Sequence, residues 1–277
     1  MMIRRDEIRP PGVAGLFYPA DKVKLERDIS LFLENSPLIS FSRPVRAMIV
    51  PHAGYTYSGG VAARAYRQIM GKKYDVVIII APSHHDFFEF VSVFPGKALR
   101  TPLGDLSLET NLIDELTASH PDIRLSNRGF MLNEHSMEVH LPFLKLSGEK
   151  FPLVPLMMGH QNPQFIQILH EALVKVLKGR NFLIVASSDL SHFYTDLKAR
   201  ELDRVVIDDV SDFSPEQLQN HIKDQKCEMC GYGPAITAMK VARDYGAASG
   251  RVLLYRNSGD VTGNKHEVVG YLAGIFY

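Results

Sequence analysis

The chain has 277 residues, 45% of them hydrophobic, and its 31 lysines and arginines balance 31 aspartates and glutamates. That length and apolar content support one large domain spanning 1–277, and the zero net charge argues against nucleic acid or an anionic membrane as partner. Two cysteines exclude a disulfide framework, no apolar run approaches the roughly 18 residues of a membrane span, and the first residues lack a signal-peptide core, so a cytoplasmic protein is expected.

Residues 21–35 place Leu25, Ile29, Phe32 and Leu33 at helical spacing behind the capping residue Asp21, which predicts an amphipathic helix. Strand-like runs follow at 46–50, 76–80, 91–94, 153–158, 182–186, 252–255 and 268–276. They alternate with helical patterns at 60–70, 109–119, 163–178, 196–209, 215–223 and 234–245. Such alternation predicts a three-layer α/β/α sandwich. The turn-rich stretch 95–108 reads as an antiparallel excursion, which makes the predicted sheet mixed and mainly parallel.

Three of the apolar runs end in histidine-bearing turns. One is followed by Pro51-His52, the second by Pro82-Ser83-His84-His85, and the third by Ser187-Ser188-Asp189-Leu190-Ser191-His192. Ligands of α/β domains bind beyond the carboxyl ends of the strands, so the three turns are expected to bring imidazoles to one crevice. That is how an open transition-metal site is assembled.

Each motif carries an alternative. The glycine-punctuated turn from Pro51 to Gly60 either presents His52 as a ligand or cradles a phosphate with backbone amides. His84 and His85 project from successive positions, so one faces the site and the other orients it or packs. Asp189 and His192, three residues apart, form a general acid/base pair or else a helix cap with a surface histidine. The segment 133–143 concentrates Glu134, His135, Glu138 and His140 without the His-Glu-x-x-His zinc pattern, and is read as a source of orienting groups rather than ligands. Cys227 and Cys230 form a Cys-x-x-Cys pair, and Gly231, Gly233 and Pro234 make Cys230 the better candidate for a reactive thiolate. His120, His160, His170, His221 and His266 are assigned no role.

Together these motifs resemble the Memo family, proteins similar to the mediator of cell motility, with microbial relatives called AmmeMemoRadiSam system protein B. The resemblance runs through Gly15-Leu16-Phe17-Tyr18-Pro19, the turn from Pro51 to Tyr57, Pro82 to His85, Arg100 to Leu103, Glu134 to Ser136, His140 to Pro142, Ser187 to Asp189 with His192, and Cys230-Gly231. It implies a fold similar to class III extradiol dioxygenases and metal ligands at His52, His84 and Cys230. It also implies that Asp189 and His192 are the remaining polar pair of the pocket, and it selects His84 over His85. Beside this resemblance, a radical enzyme stands as a candidate partner on which the chain itself is silent. The chain departs from the family around the thiol, being one residue longer before Ile236 and adding Cys227.

The leading expectation is therefore a metal-dependent redox protein. His52, His84 and Cys230 bind iron or copper, with zinc less favoured than a redox metal; Asp189, His192 and Cys230 carry the chemistry; His85, Glu138, His140 and Tyr55 orient the site. The competing expectation is a non-catalytic protein that binds a peptide or small molecule in the same pocket, lined by Tyr55, Tyr57 and Phe193. A third reading is hydrolysis at a zinc centre.

Overall fold

A computed structural model describes residues 6–147 and 151–277; the first five residues, part of the stretch read for a leader, lie outside it. The chain begins with β1 (Ile8–Arg9) and α1 (Lys22–Glu34), whose N-cap Asp21 accepts the Lys24 N–H and whose Leu25, Ile29 and Leu33 are buried. It continues through β2 (Ala47–Val50), α2 (Tyr55–Ile69), β3 (Val76–Pro82), β4 (Val91–Val93), β5 (Ala98–Thr101), β6 (Gly104–Ser107), α3 (Thr110–Ser119) and β7 (Ile123–Leu125). A 3-10 turn at Glu138–His140 leads into α4 (Leu141–Leu146), β8 (Leu153–Met158), α5 (Pro163–Val176), β9 (Phe182–Ser187) and β10 (His192–Tyr194). The remainder is α6 (Asp196–Ser211), α7 (Pro215–Lys223), α8 (Tyr232–Asp244), β11 (Gly250–Asn257), α9 (Gly259–Thr262) and β12 (Val268–Phe276).

The main sheet runs β10-β12-β2-β9-β3-β8-β4-β7, with β11 also paired to β12. Its centre, β2-β9-β3-β8, is parallel, and those strands are buried along their whole length. Buried parallel strands need covering on both faces. Here α1, α2 and α4 pack together on one side, and α3, α5 and α8 on the other. The antiparallel partners β12 and β4 make the sheet mixed. The excursion at 95–108 is the β5–β6 hairpin, which joins β1 in a separate small sheet rather than extending the main one.

Helix α2 starts at Tyr55, five residues before the apolar periodicity indicates. Gly59 belongs inside the helix, because a Cβ there would lie 2.6 Å from the Phe32 ring of α1, so the glycine serves close helix packing rather than a turn. Parallel register sets Val50 beside Ser187 and Ile80 beside Ala186, which brings the turns after β2, β3 and β9 to one edge. Among the described residues, no helix is long and apolar enough to cross a membrane.

Candidate metal centre

His52 leaves the end of β2 with its side chain buried. Its backbone N–H donates to Asp189 Oδ1 at 2.8 Å, and its ring Nδ1 lies 2.7 Å from Ser187 Oγ. His84, in the turn after β3, is held by one carboxylate at two points. Glu134 accepts the His84 backbone N–H at 2.6 Å and lies 3.0 Å from its Nδ1, so Nε2 is the ring nitrogen not tied to the carboxylate. This is the carboxylate–histidine arrangement that orients metal-binding imidazoles. Ser136 ties the Glu134 loop to the strand edge by donating from Oγ to Pro82 O at 2.7 Å.

The third imidazole is His135. Its ring is sandwiched between Phe17, at 4.3 Å, and His84, at 4.8 Å and nearly parallel. His52 meets both His84 and His135 edge-on, at 5.0 and 5.3 Å. One ring nitrogen from each of His52, His84 and His135 lies within 4.8 Å of the others, a group that could hold a metal ion.

Cys230 stands one residue ahead of the Gly231 N-cap of α8 and reaches the same place. Its Sγ accepts the Asp189 backbone N–H at 3.2 Å and lies 3.2 Å from His52 Nε2. Metal bonds of about 2.1 Å to nitrogen and about 2.3 Å to sulfur put neighbouring N and S ligands about 3.1–3.6 Å apart, so this pair is already at ligand spacing. The close approach depends on Gly231, where a Cβ would lie 2.0 Å from Ser187 O. Gln161 fixes the turn from outside, donating to Cys230 O and accepting from Gly233 N–H, each at 2.8 Å.

Burial and the neighbouring histidines hold His52 well below the usual imidazole range. Burial, then His84, pushes His135 down to about 4, and burial, then His135, pushes His140 down to about 3. Neutral rings are the form that binds metal. Burial raises the Glu134 carboxyl, but the hydrogen bonds and charge of His84 outweigh it and bring Glu134 to about 2. Asp189 moves the other way: burial lifts it to about 7 against the His52 and Ala53 backbone N–H groups. Burial and then Asp189 raise the Cys230 thiol, so a nearby cation is needed to stabilise its thiolate.

His192 opens onto a cleft of about 520 Å³, lined also by Tyr194, Glu228, Cys227 and Cys230. Phe193, between His192 and Tyr194, has φ +64° and is 72% exposed, at an irregularity in the pairing of β10 with β12. His85 is exposed on its turn. Glu138 faces the N-terminal segment, pairing with Arg9 at 2.5 Å. The Tyr55 hydroxyl donates to Val139 O at 2.7 Å, while its backbone N–H supports Phe17 O. His140 reaches Ser187 Oγ at 2.9 Å. Cys227 is buried, with a thiol pushed up to about 12 by burial and nearby acids, and both cysteines are free. Of the 133–143 segment expected to supply orienting groups, Glu134 takes that role toward His84, whereas His135 stands among the ring nitrogens of the centre itself. Their signal was the adjacency Glu134-His135-Ser136, but nothing local shows that this loop folds onto the end of β3.

Two expectations follow from these contacts. Glu134→Ala is expected to weaken metal binding about 10–100-fold, the usual cost of losing an orienting partner; anaerobic titration with Fe(II) checks it, and wild-type affinity would contradict it. The second concerns acid stability. Between about pH 6.5 and the folded value of about 4, neutral His135 binds fewer protons than its unfolded counterpart, so its contribution to stability is lost as pH falls. Metal-free His135→Asn should therefore lose about 1.4 kcal/mol less per pH unit than wild type across this window. Urea unfolding near pH 6.5 and near pH 5 measures the difference, and equal losses in the two proteins would contradict it.

The family model described as "Memo-like protein" matches residues 9–275. A "MEMO1 family protein" of Methanobrevibacter smithii is 36% identical over 97% of this chain and 99% of its own length. A second, from Sulfolobus acidocaldarius, is 35% identical over 96% of this chain and 98% of its own. Among solved structures, an uncharacterized protein of Escherichia coli K12 aligns with a TM-score of 0.54 at 13% identity, covering 84% of this chain and 100% of that one, a likeness of fold alone.

Proposed function

The chain belongs to the Memo-like protein family, and we propose that it is a metal-dependent redox protein whose iron or copper ion is held by His52, His84 and Cys230, with His135 as the adjacent fourth donor. The observation that carries this reading is the 3.2 Å spacing of Cys230 Sγ and His52 Nε2 beside the His52, His84 and His135 group. The donor set fits: two or three imidazoles and one thiolate suit iron or copper better than a hard cation such as magnesium. Such an ion supplies one-electron chemistry and coordination positions open to a substrate or dioxygen.

The chain's own groups have distinct work. Glu134 and Ser187 orient His84 and His52. Asp189, its carboxyl near neutrality and its Oδ2 3.9 Å from His52 Nε2, holds or releases a proton at Oδ2 beside the reacting position. His192, which burial keeps below the usual imidazole range, supplies a neutral ring at the cleft as a proton acceptor. The exposed side of His84 and the cleft beside Cys230 give a small molecule two routes to the centre.

Untagged protein purified anaerobically, with its metals measured by elemental mass spectrometry, tests the reading. Near-stoichiometric iron or copper that is lost in His52→Ala and Cys230→Ser supports it. Absence of metal and failure to take it up on reconstitution would replace it with the non-catalytic ligand-binding alternative.

A further inference from the structure

Ser187, the last residue of β9, is completely buried, and three polar atoms converge on its hydroxyl. Ser136 O is at 2.5 Å, His52 Nδ1 at 2.7 Å and His140 Nε2 at 2.9 Å. A hydroxyl has one proton to give and two lone pairs to receive. A carbonyl oxygen can only accept, so two oxygens this close require the Ser187 proton between them. Both histidine nitrogens must then donate to Ser187 Oγ, whatever the charge on either ring.

His140, with its proton on Nε2, offers Nδ1 as an acceptor, and Tyr66 OH lies 2.9 Å from it. Tyr66 is buried in α2 and stacked on Phe143 at 4.8 Å and 6°, which holds its hydroxyl in place. A phenol donor on Nδ1 and a hydroxyl acceptor at Nε2 leave a neutral His140 one satisfied tautomer. With His52 Nδ1 committed as a donor, a neutral His52 ring has its lone pair on Nε2, the nitrogen that faces Cys230 Sγ.

We infer that Tyr66 and Ser187 are positioning residues which, with His140 between them, lock His52 in the Nδ1–H tautomer and so present Nε2 as a lone pair to the site. The chain Tyr66–His140–Ser187–His52 crosses from a helix on one face of the sheet to the strand edge, and every donor along it has its acceptor. The proton placement stands on these contacts alone. Its consequence for metal affinity rests on the function proposed above.

Nitrogen NMR of metal-free protein carrying ¹⁵N-labelled histidine reads the tautomers directly, with His52 assigned from a His52→Asn spectrum. In wild type, His52 Nδ1 and His140 Nε2 should appear protonated and His52 Nε2 and His140 Nδ1 unprotonated. Ser187→Ala should release His52 to a mixture of tautomers and weaken Fe(II) binding about 10–100-fold. Tyr66→Phe should disturb the His140 resonances first and weaken Fe(II) binding less. A wild-type His52 protonated on Nε2, or a His52 tautomer unchanged in folded Ser187→Ala, would overturn the inference. The wild-type spectrum decides the proton placement even if a variant does not fold. The predicted tautomer in a protein that takes up no Fe(II) would refute the metal reading and leave this inference standing.

Discussion

Replacing His84 with alanine is expected to abolish high-affinity iron or copper binding while leaving the fold intact. His84 sits in an exposed turn after β3, so truncating it opens no cavity in the core. The buried carboxylate of Glu134 keeps its two backbone donors, the N–H groups of residue 84 and Ser136, at 2.6 and 3.1 Å. What disappears is the only imidazole of the centre whose Nδ1 is held by a carboxylate at hydrogen-bond distance. Loss of an orienting partner alone costs roughly 10–100-fold, so loss of the ligand itself should exceed roughly 100-fold, or about 2.7 kcal/mol. Anaerobic titration checks the affinity, and thermal unfolding checks the fold. Wild-type affinity in a folded His84→Ala protein would remove His84 from the ligand set.

Replacing Glu138 with alanine is expected to have the largest effect on stability. This carboxylate is buried and paired with Arg9, itself almost wholly buried. It also accepts the Gly12 and Val13 backbone N–H groups at 2.9 Å and the Tyr18 hydroxyl at 2.8 Å. Removing one member of a buried pair leaves the other charge uncompensated and costs about 3–5 kcal/mol. For a chain this long, that corresponds to a fall in Tm of roughly 10 °C. The damage should spread to the site, because the clamped segment carries Phe17, which stacks on His135. Metal affinity should therefore fall as well, and protease should cut the N-terminal segment sooner. A Tm within about 2 °C of wild type would show that the pair contributes little.

The legible and illegible parts of the molecule divide along physical lines. Strands β2, β3 and β9 are buried on both faces, so they appear as unbroken apolar runs, and a histidine at or near their ends stands out. His52 and His84 were visible for that reason. His135 was not, because it lies in an irregular loop and reaches the centre by stacking between Phe17 and His84, contacts that span 118 and 51 positions. Local spacing offered Glu138 as an orienting acid, whereas the contact to His84 comes from Glu134, four residues earlier. The start of α2 was obscured by Gly59 and Gly60, which read as a turn but lie inside the helix, where Gly59 allows close packing against α1. Ser187 lies in a recognised motif that gave it no role of its own, and Tyr66 lies in none; only the fold brings a serine, two histidines and a tyrosine into one chain of hydrogen bonds.

Crystals of protein reconstituted with iron or copper, with diffraction recorded at that metal's absorption edge, test the central claim most directly. A single strong anomalous peak bounded by His52 Nε2, His84 Nε2 and Cys230 Sγ is the predicted result. Metal located elsewhere on the chain, with no peak among these three atoms, would contradict it.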